Sequence, residues 1–220
     1  MYKGKLITFE GIDGSGKTTQ INLLKEYLLN IGRDIVVLRE PGGTSVGEKI
    51  RNILLDKKNK IVPTAEALLY AASRAELVKE VIIPSLNNGK IVILDRFVDS
   101  SIVYQGYARG IGVKAVEEIN NIAIAGLVPD LTIYLDIKPK DTIKRIDRRK
   151  DKDRLEMEDL EFHEKVYEGY KQLIKSRPDR YLVIDATHDI DYIQKSIVKE
   201  ISKIIGDCET MRRKFTASNQ

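Results

Sequence analysis

Three features of the sequence predict an α/β fold on a five-stranded parallel sheet flanked by helices. Five short apolar, β-branched runs recur along the 220 residues, most of them apolar at consecutive positions, as strands covered on both faces are. Helix-like stretches separate them, the alternation that joins parallel strands through crossover helices. The first run passes directly into Gly11-Ile12-Asp13-Gly14-Ser15-Gly16-Lys17-Thr18, a glycine-rich loop that opens a helix.

The first strand is expected over Lys5–Glu10 and the first helix from Lys17 to Asn30. The second strand is Asp34–Arg39. A long helix from Thr64 to Asn88 follows Pro63, whose fixed φ suits a first helical turn, and is interrupted at Pro84. The third strand, Lys90–Asp95, leads through Asp95-Arg96-Phe97 into a helix on which Ser101, Tyr104 and Gln105 stand at i, i+3 and i+4, on one face. Leu131–Asp136 and Tyr181–Asp185 are the fourth and fifth strands. The last helix, Asp189 to Ile205, carries Ile190, Ile193, Ile197, Ile201 and Ile204 on one stripe, with Gly206 as its stop. Residues 1–206 are read as a single domain with a short basic lid at about 144–154; 207–220 show no apolar period and are expected to form a loose tail.

Apolar residues make up 42% and charged residues 32%, the balance of a globular chain and not of a disordered one. Cys208, the one cysteine, has no partner for an internal disulfide, which fits a reducing compartment. No apolar run approaches the ~20 residues of a membrane span, and the N-terminus lacks the apolar core of a secretory leader. A cytoplasmic protein with no membrane partner is expected. The net charge is +4, and its location matters more than its size. Lys144 to Arg154 holds seven basic and three acidic residues, a local excess equal to the charge of the whole chain. So concentrated a charge suits a polyphosphate ligand, and no nucleic-acid partner is expected.

The loop Gly11–Thr18 matches the full phosphate-loop pattern, which ordinary residue usage would produce in roughly one chain of this length in a hundred. Its glycines let backbone N–H groups turn inward around phosphate oxygens. The helix start at Lys17, Thr18 and Thr19 adds unpaired donors and the positive end of a dipole. Lys17 brings a charge to the β and γ phosphates, and the Thr18 hydroxyl is a Mg²⁺ ligand. Asp95, at the C-terminal end of a buried strand, stands where a Mg²⁺-water partner belongs.

Nucleotide binding alone does not name a reaction. A guanine-reading switch would carry N-K-x-D, and Asn59-Lys60-Ile61-Val62 fails at the aspartate. Motor and transporter ATPases use more chain. A kinase of a small phosphorylated substrate is supported by Arg39-Glu40-Pro41-Gly42-Gly43-Thr44 at a strand end, by Tyr70 and Arg74 four apart on a helix, and by Ser101, Tyr104 and Gln105. An aromatic ring stacks on a base, and an amide matches the N3–H and carbonyl edge of a pyrimidine. Another pyrimidine monophosphate kinase, or a module that uses ATP only as a switch, are the competing readings.

Gly-Ile-Asp-Gly-Ser-Gly-Lys-Thr-Thr, Arg-Glu-Pro-Gly-Gly-Thr, Asp-Arg-Phe-x-x-Ser-Ser-x-x-Tyr-Gln-Gly, Gly-Leu-x-Pro-Asp-Leu-Thr-x-Tyr-Leu-Asp and Asp-Arg-Leu-Glu together resemble the thymidylate kinase family of P-loop nucleoside monophosphate kinases, over about residues 5–205. The resemblance implies a P-loop kinase fold, transfer of the γ-phosphoryl group of MgATP to dTMP, Mg²⁺ as cofactor, and a homodimer. Gly11 to Thr19 would hold ATP, with Arg145 and Arg154 of the lid. Lys17, Asp13, Arg96 and Arg149 would act at the reacting phosphates, Asp13 near the acceptor's sugar and phosphate and Arg96 on the acceptor phosphate. Tyr70 would stack on thymine, Arg74 and Gln105 would bond the base edge, Pro41 would face the methyl group beside Glu40 and Ser101, and Tyr104 would crowd the 2′ position. The phosphate loop carries no arginine of its own, so the cationic charge is assigned to the lid. The attacking phosphate oxygen is already deprotonated at pH 7, so no general base is required; His163 and His188 read as surface histidines.

Overall fold

The computed structural model describes residues 2–142 and 153–206. Its five strands are β1 (Lys5–Glu10), β2 (Ile35–Arg39), β3 (Ile91–Asp95), β4 (Leu131–Asp136) and β5 (Tyr181–Asp185). All pair in parallel, in the order β2-β3-β1-β4-β5. The order explains the burial: β1, β3 and β4 lie inside the sheet and are almost wholly buried, whereas β2 and β5 are edges and half exposed. The strands begin and end within a residue of where the sequence puts them, because a run apolar on both faces has few other places to go.

Helices α1 (Lys17–Asn30), α2 (Ser45–Leu55), α3 (Pro63–Leu77), α4 (Ile83–Asn87), α5 (Val98–Ser101), α6 (Val113–Ile124), α7 (Leu160–Ser176) and α8 (Ile190–Ile204) flank the sheet. One core, on the side of α1, α7 and α8, is built from Leu24, Phe9, Ile133, Val166 and Ile197. The other is built from Leu6, Leu77, Val92, Leu94 and Phe97. α2 and α7 are capped by the side chains of Thr44 and Asp159, which accept from Gly47 and Phe162 N–H groups.

Two helices differ from expectation. The stretch foreseen as Thr64–Asn88 divides into α3, a π turn at Val78–Ile82 and α4. Pro84 has no N–H to return to Glu80, and the Ile83 N–H reaches back to Val78 instead, leaving the wider turn. The helix foreseen after β3 is a single α turn, α5, followed by a π-helical segment, Ile102–Ala108, which includes Tyr104 and Gln105. Ligands of such sheets sit beyond the strand C-termini, where neighbouring connections diverge. Here the loops after β1, β2 and β3 meet over that edge.

Candidate active site

A cavity of about 430 Å³ opens there. Its phosphate end is lined by Asp13, Gly14, Gly16, Lys17, Thr18 and Thr19. Ile12 turns its side chain into the core at 2% exposure, which pins the loop from below. Gly16, the N-cap of α1, lies at φ 98 in the left-handed region that a Cβ disfavours. The buried Lys17 ammonium donates to the Gly11 and Ile12 carbonyls at 3.0 and 3.1 Å. Burial, and then repulsion from Arg96, pull it down to about 8 from its ordinary value, against the attraction of Asp95, Asp13 and Glu10.

Asp95, Arg96 and Tyr104 line the same cavity. Arg96 is one of two described non-glycine residues at positive φ, 69°, a conformation that costs an L-residue roughly 1–2 kcal/mol. That turn, at the end of β3, brings its guanidinium back over the phosphate loop. It donates to Asp13 at 2.6 Å, to the Gly11 carbonyl at 3.2 Å and to Ser100 at 3.1 Å, and lies 5.1 Å from the Tyr104 ring centre. The Tyr104 hydroxyl donates to the other Asp13 oxygen at 3.1 Å. Burial would raise the Asp13 carboxyl, but Arg96 and Lys17 hold it well below the usual carboxylate range.

Asp95 Oδ1 is buried and accepts no hydrogen bond among the described residues, and the exposed Thr18 lines the same cavity. Mg²⁺ takes one or two protein ligands and completes its shell with water and phosphate oxygens, so this donor set fits that ion. A closed metal cage is not formed, since the described residues contain no cluster of three or more His, Cys, Asp or Glu.

Beneath Arg96 lies Glu10, fully buried at the end of β1. It accepts from the Phe97 N–H at 2.8 Å, from Ser100 at 2.7 Å and from Tyr170 at 2.7 Å. Burial and the neighbouring Asp99 push its carboxyl up to about 7.

The end where a base is expected is lined by Glu40, Pro41, Tyr70, Arg74, Ser101 and Gln105. The Glu40–Pro41 bond is cis. Arg74 is 1% exposed and its donors are spoken for: Nε on Glu40 at 2.7 Å, Nη1 on Ser101 at 3.1 Å and on Asn120, Nη2 on the Phe97 carbonyl at 3.1 Å and on Glu40 at 2.5 Å. The expectation that Arg74 bonds a base edge is therefore revised for this geometry, in which it braces the wall that β2, α3, α5 and α6 share. Glu40 keeps one buried oxygen without a partner. Gln105 donates from Nε2 to Glu66 at 2.8 Å.

The cavity thus brings together residues from the phosphate loop, the β2–α2 loop, α3 and the segment after β3. Arg154, expected on ATP, is placed elsewhere. It donates to the Leu54 carbonyl at 2.8 Å and to Glu66 at 2.5 Å, on the carboxylate that also takes Gln105, because Glu66 is the buried anion within its reach. Arg145 and Arg149 lie outside the described residues, as do most of the stretch expected as a lid and the whole of that expected as a tail. His163 is half-buried, not exposed, with Nδ1 unpartnered. Sequence reasoning missed Arg51, which lines the cavity and donates to the Pro41 carbonyl at 2.8 Å. It also missed Glu10, Tyr170 and Glu66. For Glu66 a signal existed: it is the one charge in the apolar run Ala65–Ala72. No helix of the described residues is long and apolar enough to cross a membrane.

The profile of a family described as thymidylate kinase matches residues 9–197. A thymidylate kinase of Thermoanaerobacter sp. (strain X514) is 57% identical over 203 residues, 92% of this chain and 100% of the relative. One from Caldanaerobacter subterraneus subsp. tengcongensis is 55% identical, over 92% of this chain and 97% of its own. The crystal structure of thymidylate kinase from Ehrlichia chaffeensis superposes with a TM-score of 0.73 at 37% identity, covering 90% of this chain and 98% of that one.

Proposed function

The chain belongs to the thymidylate kinase family, and on that premise we propose how its site works as it transfers the γ-phosphoryl group of ATP to dTMP, giving ADP and dTDP for dTTP synthesis. One observation carries the assignment of roles: a single cavity has a phosphate loop at one end and an amide, a half-buried tyrosine and a buried proline at the other. Two anions must be held in line, and the chemistry asks for position and positive charge, with no base. Lys17 releases its two carbonyls to take phosphate oxygens of ATP. Arg96, held by Asp13 and Ser100, takes the acceptor phosphate. Tyr70 stacks on the thymine, Pro41 faces its methyl group, Gln105 reads its edge, and Tyr104 limits the space at the 2′ position. Arg149 supplies the transition-state charge and Arg145 supports ATP, both on the family resemblance alone. Thr18 and Asp95 would hold Mg²⁺, which when bound would neutralise phosphate charge.

The protein is cytoplasmic in this reading, and a homodimer. α3 and α6 pack on each other and leave Leu68 52% and Ile122 86% exposed, apolar side chains that a second copy would cover. Ile122→Glu should then shift the mass in light scattering from dimer to monomer.

ADP release measured with MgATP and a panel of dTMP, dUMP, dCMP and CMP tests the roles. dTMP should be preferred over dUMP by about 10–200-fold, the worth of a methyl group in an apolar pocket, and excess EDTA should abolish turnover. Equal efficiency for dTMP and dUMP, or activity unaffected by EDTA, would remove the methyl pocket or the metal from this account.

A further inference from the structure

Glu66 lies outside the reacting groups, yet three donors from two other segments converge on it. Its carboxylate, 0% exposed, accepts from Gln105 Nε2 at 2.8 Å, from Arg154 at 2.5 Å, and from Arg109 Nε and Nη2 at 3.3 and 3.4 Å. Arg109 is fixed in turn by Glu158 at 2.6 Å and by the Phe162 ring, 4.5 Å from its guanidinium carbon. A carboxylate facing two guanidiniums offers acceptors only. The Gln105 amide can therefore meet it in one orientation, nitrogen toward Glu66. Its oxygen then has no protein partner among the described residues, and Gln105 borders the cavity.

We propose that Glu66 is the positioning residue that sets base choice, by locking Gln105 in the orientation that presents its amide oxygen to the acceptor's N3. The inference rests on the proposed function, in which the base lies against Gln105. Thymine and uracil carry a hydrogen on N3 and a carbonyl at C4; cytosine carries a lone pair on N3 and an amino group at C4. The locked amide offers its oxygen to the N3–H and its second Nε2 hydrogen to the carbonyl at C4. Cytosine would need the amide turned over, which would set its oxygen against the Glu66 carboxylate. Discrimination against cytosine is thus enforced one residue behind the contact, while the thymine methyl is sensed elsewhere.

The test is kcat/KM for dTMP, dUMP and dCMP in the wild type and in Glu66→Gln, whose amide can pair with Gln105 in either orientation. The dTMP-to-dCMP ratio should fall by at least about tenfold in the variant, the scale of one unmet buried hydrogen bond, with the dTMP-to-dUMP ratio unchanged. A folded variant that keeps its dTMP-to-dCMP ratio overturns the proposal. So does a parallel collapse of both ratios, which would mean a wall merely loosened. A wild type that does not separate dTMP from dCMP overturns the reading of the pocket first, and the proposal with it. Should Glu66→Gln not fold, side-chain amide exchange of Gln105 in the wild type decides. One of its two Nε2 protons should be strongly protected, and two freely exchanging protons would refute the lock.

Discussion

At the phosphate end of the cavity, Lys17 donates to two backbone carbonyls and Arg96 shares one of them, in addition to Asp13 and Ser100. At the base end, Arg74 and Glu66 are buried and bonded chiefly to other side chains of the wall. Carbonyls are neutral, replaceable partners, so Lys17 can exchange them for phosphate oxygens with little reorganisation, while Arg96 keeps Asp13 and gives up only the Gly11 carbonyl. A buried guanidinium on a buried carboxylate has no such freedom, since either group left alone keeps its full desolvation penalty. One end holds charge in readiness and the other holds shape. Substitutions should therefore split by region, the first costing rate and the second costing stability or base recognition.

The sharpest test is Lys17→Ala. Phosphoryl transfer should fall by at least about a thousandfold, the low end of what a cation is worth at a transferring phosphoryl group, with the far-UV spectrum and Tm near those of the wild type. An unfolded variant would erase the contrast. Arg74→Ala should do the reverse and remove about 3–5 kcal/mol of stability by stranding Glu40. At roughly 2–4 °C per kcal/mol for a chain of this size, a thermal melt would resolve it easily; an unchanged Tm would mean that the base end is as replaceable as the phosphate end. Gln105→Leu should weaken dTMP binding by about 1–3 kcal/mol and leave ATP binding alone, as titrations of each nucleotide would report.

The smallest effect is a pH dependence confined to the phosphate end. Lys17 sits at about 8 in the free enzyme, and a bound phosphate favours its charged form. ATP affinity should be flat below pH 8 and fall by up to about tenfold per pH unit above it, as binding comes to require proton uptake. Calorimetry at pH 9 in two buffers of different ionisation enthalpy would detect that proton, and dTMP binding should not share the slope.

The same division decided what could be read from sequence. The strands and the phosphate loop were legible because each is a local pattern: an apolar run, or glycines at fixed spacing before Lys17. Glu40, Pro41, Tyr70, Ser101, Tyr104 and Gln105 were drawn together by residue type and by family resemblance. What escaped were partners distant in the chain. Glu10 meets Tyr170 across 160 positions, and Glu66 meets Arg154 across 88. Neither spacing leaves a trace in a single sequence. Arg74 was legible as important but not in its part, because whether a guanidinium is free or spent depends on acceptors from β2, α5 and α6 at once. α2, α6 and α7 were passed over, although Thr44 and Asp159 stood as capping residues at the starts of α2 and α7.

The π-helical segment Ile102–Ala108, in which the Arg109 N–H reaches back five residues to the Tyr104 carbonyl at 2.9 Å, fits one residue more into its turn than an α-helix would. Its length, and not only its composition, therefore encodes the aim of Gln105. Loss of a single codon between Ser101 and Tyr104 would let the chain relax to an ordinary α turn and rotate the downstream residues by about 100°, the angle of one helical residue. Gln105 would swing off Glu66 and Tyr104 off Asp13, while Arg96 and Ser100, upstream of the deletion, would keep their places beside the glycine-rich loop. A frame-preserving deletion there is therefore expected to alter base preference, and through Tyr104 to loosen the Asp13–Arg96 pair as well.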